Sequence, residues 1–256
     1  MPYAILRFQK RKAGSVAACE RHNERKKEAY KSNPDIDMER SRENYHLVAP
    51  PRYTYKKEIN RMTGAAGCRV RRDSVMLVET LITTSPEFMN SLPPAEQRAY
   101  FAAALDFVAG RVGKQNIISA VVHMDEKTPH MHLCFVPITK EGKLSAKTML
   151  GNQKSLSEWQ TAYHAHMSAR WPELERGESS MITRRKHIPT WLYKLGGRLD
   201  KQHDEIVKAL SDINAFNAGK KRDRALALLS AWLPDMERFS REIQKQSDYI
   251  NSLKQR

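Results

Sequence analysis

Four short runs rich in apolar and β-branched residues stand out along the 256-residue chain: Pro2–Gln9, Val75–Thr83, Ile117–Val122 and Leu133–Ile138. Each has the length of a strand and is bounded by turn residues. Between the second and third, Pro93-Pro94 opens a segment in which Phe101, Leu105, Val108 and Val112 recur at helical spacing, so a helix turns one face to a core. Ser15 is placed to cap another helix through Ala17, Ala18 and Glu20 towards Tyr30, stopped by Ser32–Pro34. Leu156, Trp159, Tyr163 and Met167 mark a third over Ser155–Arg170, stopped by Trp171-Pro172. Residues 33–72 show no period and read as a long polar loop. Leu144–Met149 reads as a short strand or loop. The order β-α-loop-β-α-β-β predicts an α+β domain of two layers, a central antiparallel sheet with helices on one face.

From about Leu195 the pattern changes. Leu199, Ile206, Leu210 and Ile213 suggest one amphipathic helix, and Arg224–Leu233 a second that Pro234 interrupts. Met236, Phe239, Ile243, Gln246, Ile250 and Leu253 then follow at intervals of three and four, a coiled-coil seam lasting under three heptads. This tail is either a helical hairpin packed on itself or a dimerisation element.

Charge narrows the partner. Forty-four Lys+Arg stand against 29 Asp+Glu, a net +15. The first 72 residues hold 18 of those cations and only eight acids, so most of the excess is N-terminal. Such an excess points to a polyanion, nucleic acid before an anionic membrane. Tyr45, Tyr53 and Tyr55 lie among these cations. They either stack on unpaired bases or pack back onto the core. Three widely spaced cysteines suggest neither a disulfide framework nor a thiolate metal cluster. No signal peptide is visible, and no apolar run approaches the ~18 residues of a membrane span. A reducing cytoplasm is the expected location.

The chemistry concentrates in His123-Met-Asp-Glu-Lys-Thr-Pro-His-Met-His132, which holds three of the nine histidines. Alternation puts His130 and His132 on one face of a strand. If Asp125–Pro129 joins a hairpin, His123 ends the facing strand within reach of both. Three imidazoles beside Glu126 make an open divalent-metal site able to take Mn²⁺, Mg²⁺, Zn²⁺ or Co²⁺. The alternative is scattered surface histidines near a turn. With a basic region in the same chain, a phosphodiester is the expected substrate. Its nucleophile is water activated by Glu126, or a side chain that forms a covalent intermediate. Candidates for the side chain are His22, Tyr45 and Tyr30. Neutral imidazole needs no extra base near pH 7, whereas a tyrosine must lose a proton of pKa about 10.

The ten-residue histidine motif resembles the third motif of the Mob/Pre family of plasmid mobilisation and recombination proteins, the MobV class of relaxases among the HUH endonucleases. His22-Asn-Glu-Arg25 resembles the first motif and Asn44-Tyr-His-Leu47 the second. Arg71-Arg-Asp-Ser-Val75, Gly142-Lys-Leu-Ser145 with Lys147 and Met149, and Glu173-Leu-Glu-Arg-Gly177 resemble further family blocks in the same order. The similarity runs from about Tyr3 to Arg185. It implies an HUH-type palm over residues 1–195, the relaxase domain, followed by a helical extension over 196–256. It implies strand-specific nicking and rejoining of plasmid DNA, in single-stranded or hairpin form, at an origin of transfer, with the enzyme joined to the 5′ phosphate. It implies Mn²⁺ or Mg²⁺ on His123, His130 and His132, with Glu126 orienting a ligand or moving a proton, and His22 as nucleophile. Arg25, Lys26, Asn44, Tyr45, Arg71, Arg72 and Lys147 are then the residues expected to touch DNA. Many family members continue into a longer helical region linked with dimerisation and membrane association. The rival readings are an HUH replication initiator or transposase, and a DNA-binding regulator that does not cleave.

Overall fold

The central strand of the sheet is the one that carries two of the motif histidines. In the computed structural model, which describes residues 1–27, 36–178, 190–211, 213–214 and 216–254, five strands form one antiparallel sheet. These are β1 (Ile5–Lys12), β2 (Tyr45–Val48), β3 (Val75–Thr83), β4 (Ile117–His123) and β5 (His130–Phe135), in the order β1-β3-β5-β4-β2. The expected α+β architecture with a central antiparallel sheet is what forms.

Helices cover both faces of the sheet, not one. On one face, Leu6, Val78, Ile82, Val122, Met131, Leu133 and Phe135 pack against α4 (Pro94–Val112) and α6 (Gln153–Ser168) through Phe101, Ala104, Val108, Trp159 and Tyr163. On the other, Leu77, Ile118, Cys134 and Val136 pack against α1 (Ala13–Asn23) and α2 (Tyr55–Ala65) through Val16, Cys19, Tyr55 and Ile59. With both faces covered, β3, β4 and β5 are buried nearly throughout, which is why they read as continuous apolar runs. Gly113, at φ +88°, ends α4 in a conformation that side chains with a Cβ avoid.

The long polar loop is partly ordered structure. Residues 40–43 form a 3₁₀ turn, and β2 follows at once. Its four residues are too few to show alternation. α2 begins at Thr54, whose hydroxyl accepts from the Lys57 N–H at 3.3 Å. α1 ends at Asn23, short of the expected reach towards Tyr30. Tyr30 itself lies outside the described residues, as does the basic run Arg184–His187. α3 (Pro86–Ser91) follows β3, and α5 (Ala146–Leu150) occupies a stretch expected to be a short strand or loop. Ser145 caps α5 by accepting from Thr148 N–H at 3.2 Å.

The described residues divide into two compact units, Met1–Ser179 and Ser180–Arg256. The second contains α7 (Thr190–Ser211) and α8 (Ala218–Lys254), which pack on each other. α8 runs through Pro234, where the sequence suggested an interruption. An Arg198–Asp235 ion pair at 2.8 Å ties α7 to α8 beside that proline. No described helix is long and apolar enough to cross a membrane.

Candidate metal and nucleophile site

The β4–β5 hairpin sets the site by register. His123 pairs directly with His130, and His132 lies two residues along the same face of β5. The three rings converge, with centroids 5.2 Å apart for His123 and His130, 4.9 Å for His123 and His132, and 5.0 Å for His130 and His132. α1 crosses this face and adds a fourth ring. His22 lies 5.1 Å from His132 and 5.6 Å from His123, both edge to face. Val16, Cys19, Glu20 and Asn23, spaced three and four apart, are the buried stripe that seats α1 there.

The neighbours of each ring choose its tautomer. His123 Nε2 donates to the Asn23 carbonyl at 2.8 Å, which leaves Nδ1 with the lone pair. His130 Nδ1 donates to the Thr128 carbonyl at 2.9 Å, which leaves Nε2. Glu126 Oε1 is 4.0 Å from the first of these nitrogens and 3.8 Å from the second. Glu79 Oε1 comes within 2.9 Å of His132 Nδ1 but off the hydrogen-bond axis. This proximity favours the proton on Nδ1 and the lone pair on Nε2. His123 Nδ1 and both ring nitrogens of His132 are buried without a formed hydrogen bond. Buried nitrogens left this way are costly unless something else binds them. The donor set therefore fits a divalent cation, with the Asn23 and Thr128 carbonyls and Glu79 orienting the ligands from behind. Ligand atoms within 4.8 Å of one another fall into two overlapping groups, His22–His123–His132 and His123–Glu126–His130. His123 belongs to both, and the expected trio is spread across them.

Burial holds the rings of His22, His123 and His130 neutral. It lowers His22 to about 4, helped by His132 and Arg25. It lowers His130 to about 4, helped by His132, and it pushes His123 down as well. Neutral imidazoles can ligate a metal and attack an electrophile.

Two carboxylates central to this arrangement were not singled out in the sequence as site residues. Asp125 is fully buried. It accepts from Arg25 Nε at 2.8 Å and Nη2 at 2.7 Å, from Ser41 Oγ at 2.6 Å and from Asn44 Nδ2 at 2.8 Å. Burial opposes its charge, yet these donors hold its carboxyl well below the usual range. Glu79 takes Arg11 Nε at 2.9 Å on one oxygen and faces His132 with the other. It too stays ionised despite burial, because of His132 and Arg11. The available signal for Glu79 was a single charge inside the apolar strand Val75–Thr83.

The residues expected to touch DNA separate into two sets. Arg25 binds Asp125, reaches Glu126 Oε1 at 2.9 Å, and donates to the His22 carbonyl at 3.0 Å. Its side chain is 8% exposed, and its backbone is left-handed at φ +47°. Asn44 accepts from Met124 N–H at 2.7 Å as well as binding Asp125, so it pins the hairpin loop. Tyr45 pairs with Val122 and packs into the core on the opposite face of the sheet from the histidines, under Arg98 at 4.6 Å. Burial raises its phenol, with Arg98 opposing. Lys26 is half-exposed and paired with Glu20 at 2.6 Å. Arg71, Arg72 and Lys147 are exposed.

Known proteins share this arrangement of sequence and fold. A family model described as plasmid recombination enzyme matches residues 1–195. The type 1 plasmid recombination enzyme of Staphylococcus aureus is 34% identical over 212 residues, covering 81% of this chain and 52% of that protein. That of Bacillus thuringiensis is 37% identical over 213 residues, covering 82% and 46%. The chain thus spans about half the length of the curated relatives it matches. A Mn-bound crystal structure of the MobM relaxase domain with oriT DNA of plasmid pMV158 superposes with a TM-score of 0.68 at 36% identity, covering 73% of this chain and 95% of that one. With a family model covering most of its length, the chain belongs to the plasmid recombination enzyme (Mob/Pre) family.

Proposed function

We propose that this chain is a relaxase that nicks and reseals one strand at a plasmid origin of transfer through a covalent histidine–DNA intermediate. The observation that carries the reading is the seat of His22: a neutral imidazole about 5 Å from the histidine trio, on a helix fixed to the trio through the Asn23 carbonyl. A phosphate held over the trio would lie within reach of the His22 ring. The MobM domain, bound to Mn and to origin DNA, supports the choice of substrate and cofactor.

Bound at His123, His130 and His132, with Glu126 beside them, Mn²⁺ or Mg²⁺ supplies neutralisation of the charge that gathers on the scissile phosphate. His22 attacks phosphorus with its lone pair. The P–N bond forms and the P–O3′ bond breaks; the other ring nitrogen of His22 gives its proton to solvent, and the leaving 3′ oxygen takes one from water. Arg25 donates to Glu126 and to the His22 carbonyl, and so holds both in place. Resealing runs the same steps backwards, with the 3′ hydroxyl as nucleophile. In this reading residues 1–195 are the relaxase domain, acting in the cytoplasm. Residues 196–256 are an extension that pairs two copies through the exposed Leu226, Leu233 and Ile243 of α8.

The test is nicking of supercoiled DNA carrying the cognate origin, with and without Mn²⁺, followed by mapping of the peptide that carries the nucleotide. His22→Ala should abolish both nicking and the adduct while duplex binding survives. A denaturant-stable adduct that persists in His22→Ala and is lost in Tyr45→Phe overturns the nucleophile. Light scattering of the full chain tests the pairing, and a monomer at micromolar concentration removes it.

A further inference from the structure

Tyr45, Tyr53 and Tyr55 have different surroundings. Tyr55 is buried, and its hydroxyl is held by Glu24. Tyr45 lies in the core of the opposite face. Tyr53 is 60% exposed, and two cations reach its ring: Arg52 at 5.9 Å and Lys57 at 5.5 Å from the centroid. It borders a cavity of about 290 Å³ walled by Pro50, Pro51 and Thr54, with Glu20 and Glu24 as the acidic wall. This volume lies at the small end of ligand pockets.

The charges in this cavity are layered. Glu20 and Glu24 are buried: Glu20 accepts from Tyr55 N–H at 3.0 Å and from Lys26 at 2.6 Å, and Glu24 accepts from Ser119 at 3.0 Å and faces His46 at 2.9 Å. Arg52, Lys57 and Lys26 stand at the rim. A carboxylate floor, though partnered, keeps acceptor lone pairs for the N–H groups of a base, while a cationic rim attracts phosphate. An exposed ring with cations around it is a stacking surface for any base. The two floor carboxylates belong to the end of α1, two residues before and two after His22.

We propose that Tyr53, Arg52 and Lys57 form a stacking subsite for an unpaired nucleobase of the strand being cut. The base lies on Tyr53 with its polar edge towards Glu20 and Glu24, and the flanking phosphates lie on Arg52 and Lys57. Glu20 and Glu24 stand two residues either side of His22, so the base belongs to the strand that His22 cuts. That last placement rests on the relaxase reading; the subsite itself rests on the geometry.

The test is equilibrium binding of the full chain in chelator, so that no cutting occurs. The probes are a fluorescein-labelled 22-nucleotide single strand of mixed sequence and an abasic strand of the same length, read by anisotropy. Tyr53→Ala should weaken the mixed strand by about tenfold and leave the abasic strand unchanged, while Tyr53→Phe binds as wild type. Lys57→Ala should weaken both strands and reduce the salt slope by about 0.7. Because Tyr53 is exposed, an unchanged melting temperature should confirm that Tyr53→Ala folds. Wild-type affinity of Tyr53→Ala for the mixed strand overturns the subsite, as does an equal loss on both strands. Nicking of origin plasmid is scored separately. A chain that shows the Tyr53 effect but never nicks supports the subsite and removes the relaxase reading. One that nicks without the effect does the reverse.

Discussion

Asp125→Ala is the substitution that tests the site's framework most directly. The carboxylate receives four hydrogen bonds, two of them from an Arg25 guanidinium that is itself only 8% exposed. Deleting one partner of such a buried pair costs about 3–5 kcal/mol, because the other charge is left without its counterion. Arg25 retains Glu126 and the His22 carbonyl, and Asn44 retains the Met124 N–H, so the lower figure applies. At roughly 2–4 °C per kcal/mol for a unit of this size, the apo chain should melt about 6–12 °C lower. Circular dichroism melts of wild type, Asp125→Ala, Arg25→Ala and the double variant complete a cycle with a coupling of about 1–3 kcal/mol. Asp125 has a folded-state pKa below its unfolded value, so its contribution is complete above about pH 4 and is lost only as pH falls further. The cycle should therefore give the same coupling at pH 7 and pH 5. Additive losses, or a melt within a degree or two of wild type, refute the idea that this pair fixes the hairpin loop to the end of α1.

Three further outcomes are expected. His22 and His130 have folded-state pKa values near 4, below the unfolded value near 6.5, so the unfolded chain takes up protons first. The metal-free protein should lose stability as pH falls from 6.5 towards 4, by roughly 1.4 kcal/mol per pH unit for each histidine, and chemical denaturation that gives a flat profile over this range contradicts the neutral cluster. Glu79→Gln removes the charge behind His132 and should weaken Mn²⁺ binding about 10–100-fold by calorimetry; unchanged affinity means that Glu79 serves only Arg11. Pro234→Ala relieves a proline in the interior of α8 and should stabilise the helical unit by up to about 3 kcal/mol; a lower melting temperature for that unit would show the helix broken at 234.

What could be read from the sequence followed from local period. Alternation alone places His130 and His132 on one face, and a six-residue connection brings His123 opposite His130. What could not be read depended on contacts between distant parts of the chain. β2 has only four residues, so nothing local reveals that Tyr45 opposes Val122 and turns away from the histidines. α2 hid inside an apparent loop because its buried side chains, Tyr55, Ile59 and Thr63, are few and partly polar. Asp125 stands in the middle of the motif, but the donors that give it a role lie at positions 25, 41 and 44.

Arg25 shows how charge alone misleads. Its position in a basic region, three residues from His22, suggested a hand for phosphate. In the fold its guanidinium donates four hydrogen bonds to Asp125, Glu126 and the His22 carbonyl. It therefore ties Glu126 and the end of α1 to the hairpin. Lys26 is divided between solvent and Glu20. The cations open to a polyanion are those on the exposed turns and helices, Arg52, Lys57, Arg71, Arg72 and Lys147 among them. Sequence sums the charge of a region; the fold decides which part is already matched by buried carboxylates. Near this site, much of the charge closest to the chemistry holds the site together, and the charge farther out is free to hold the substrate.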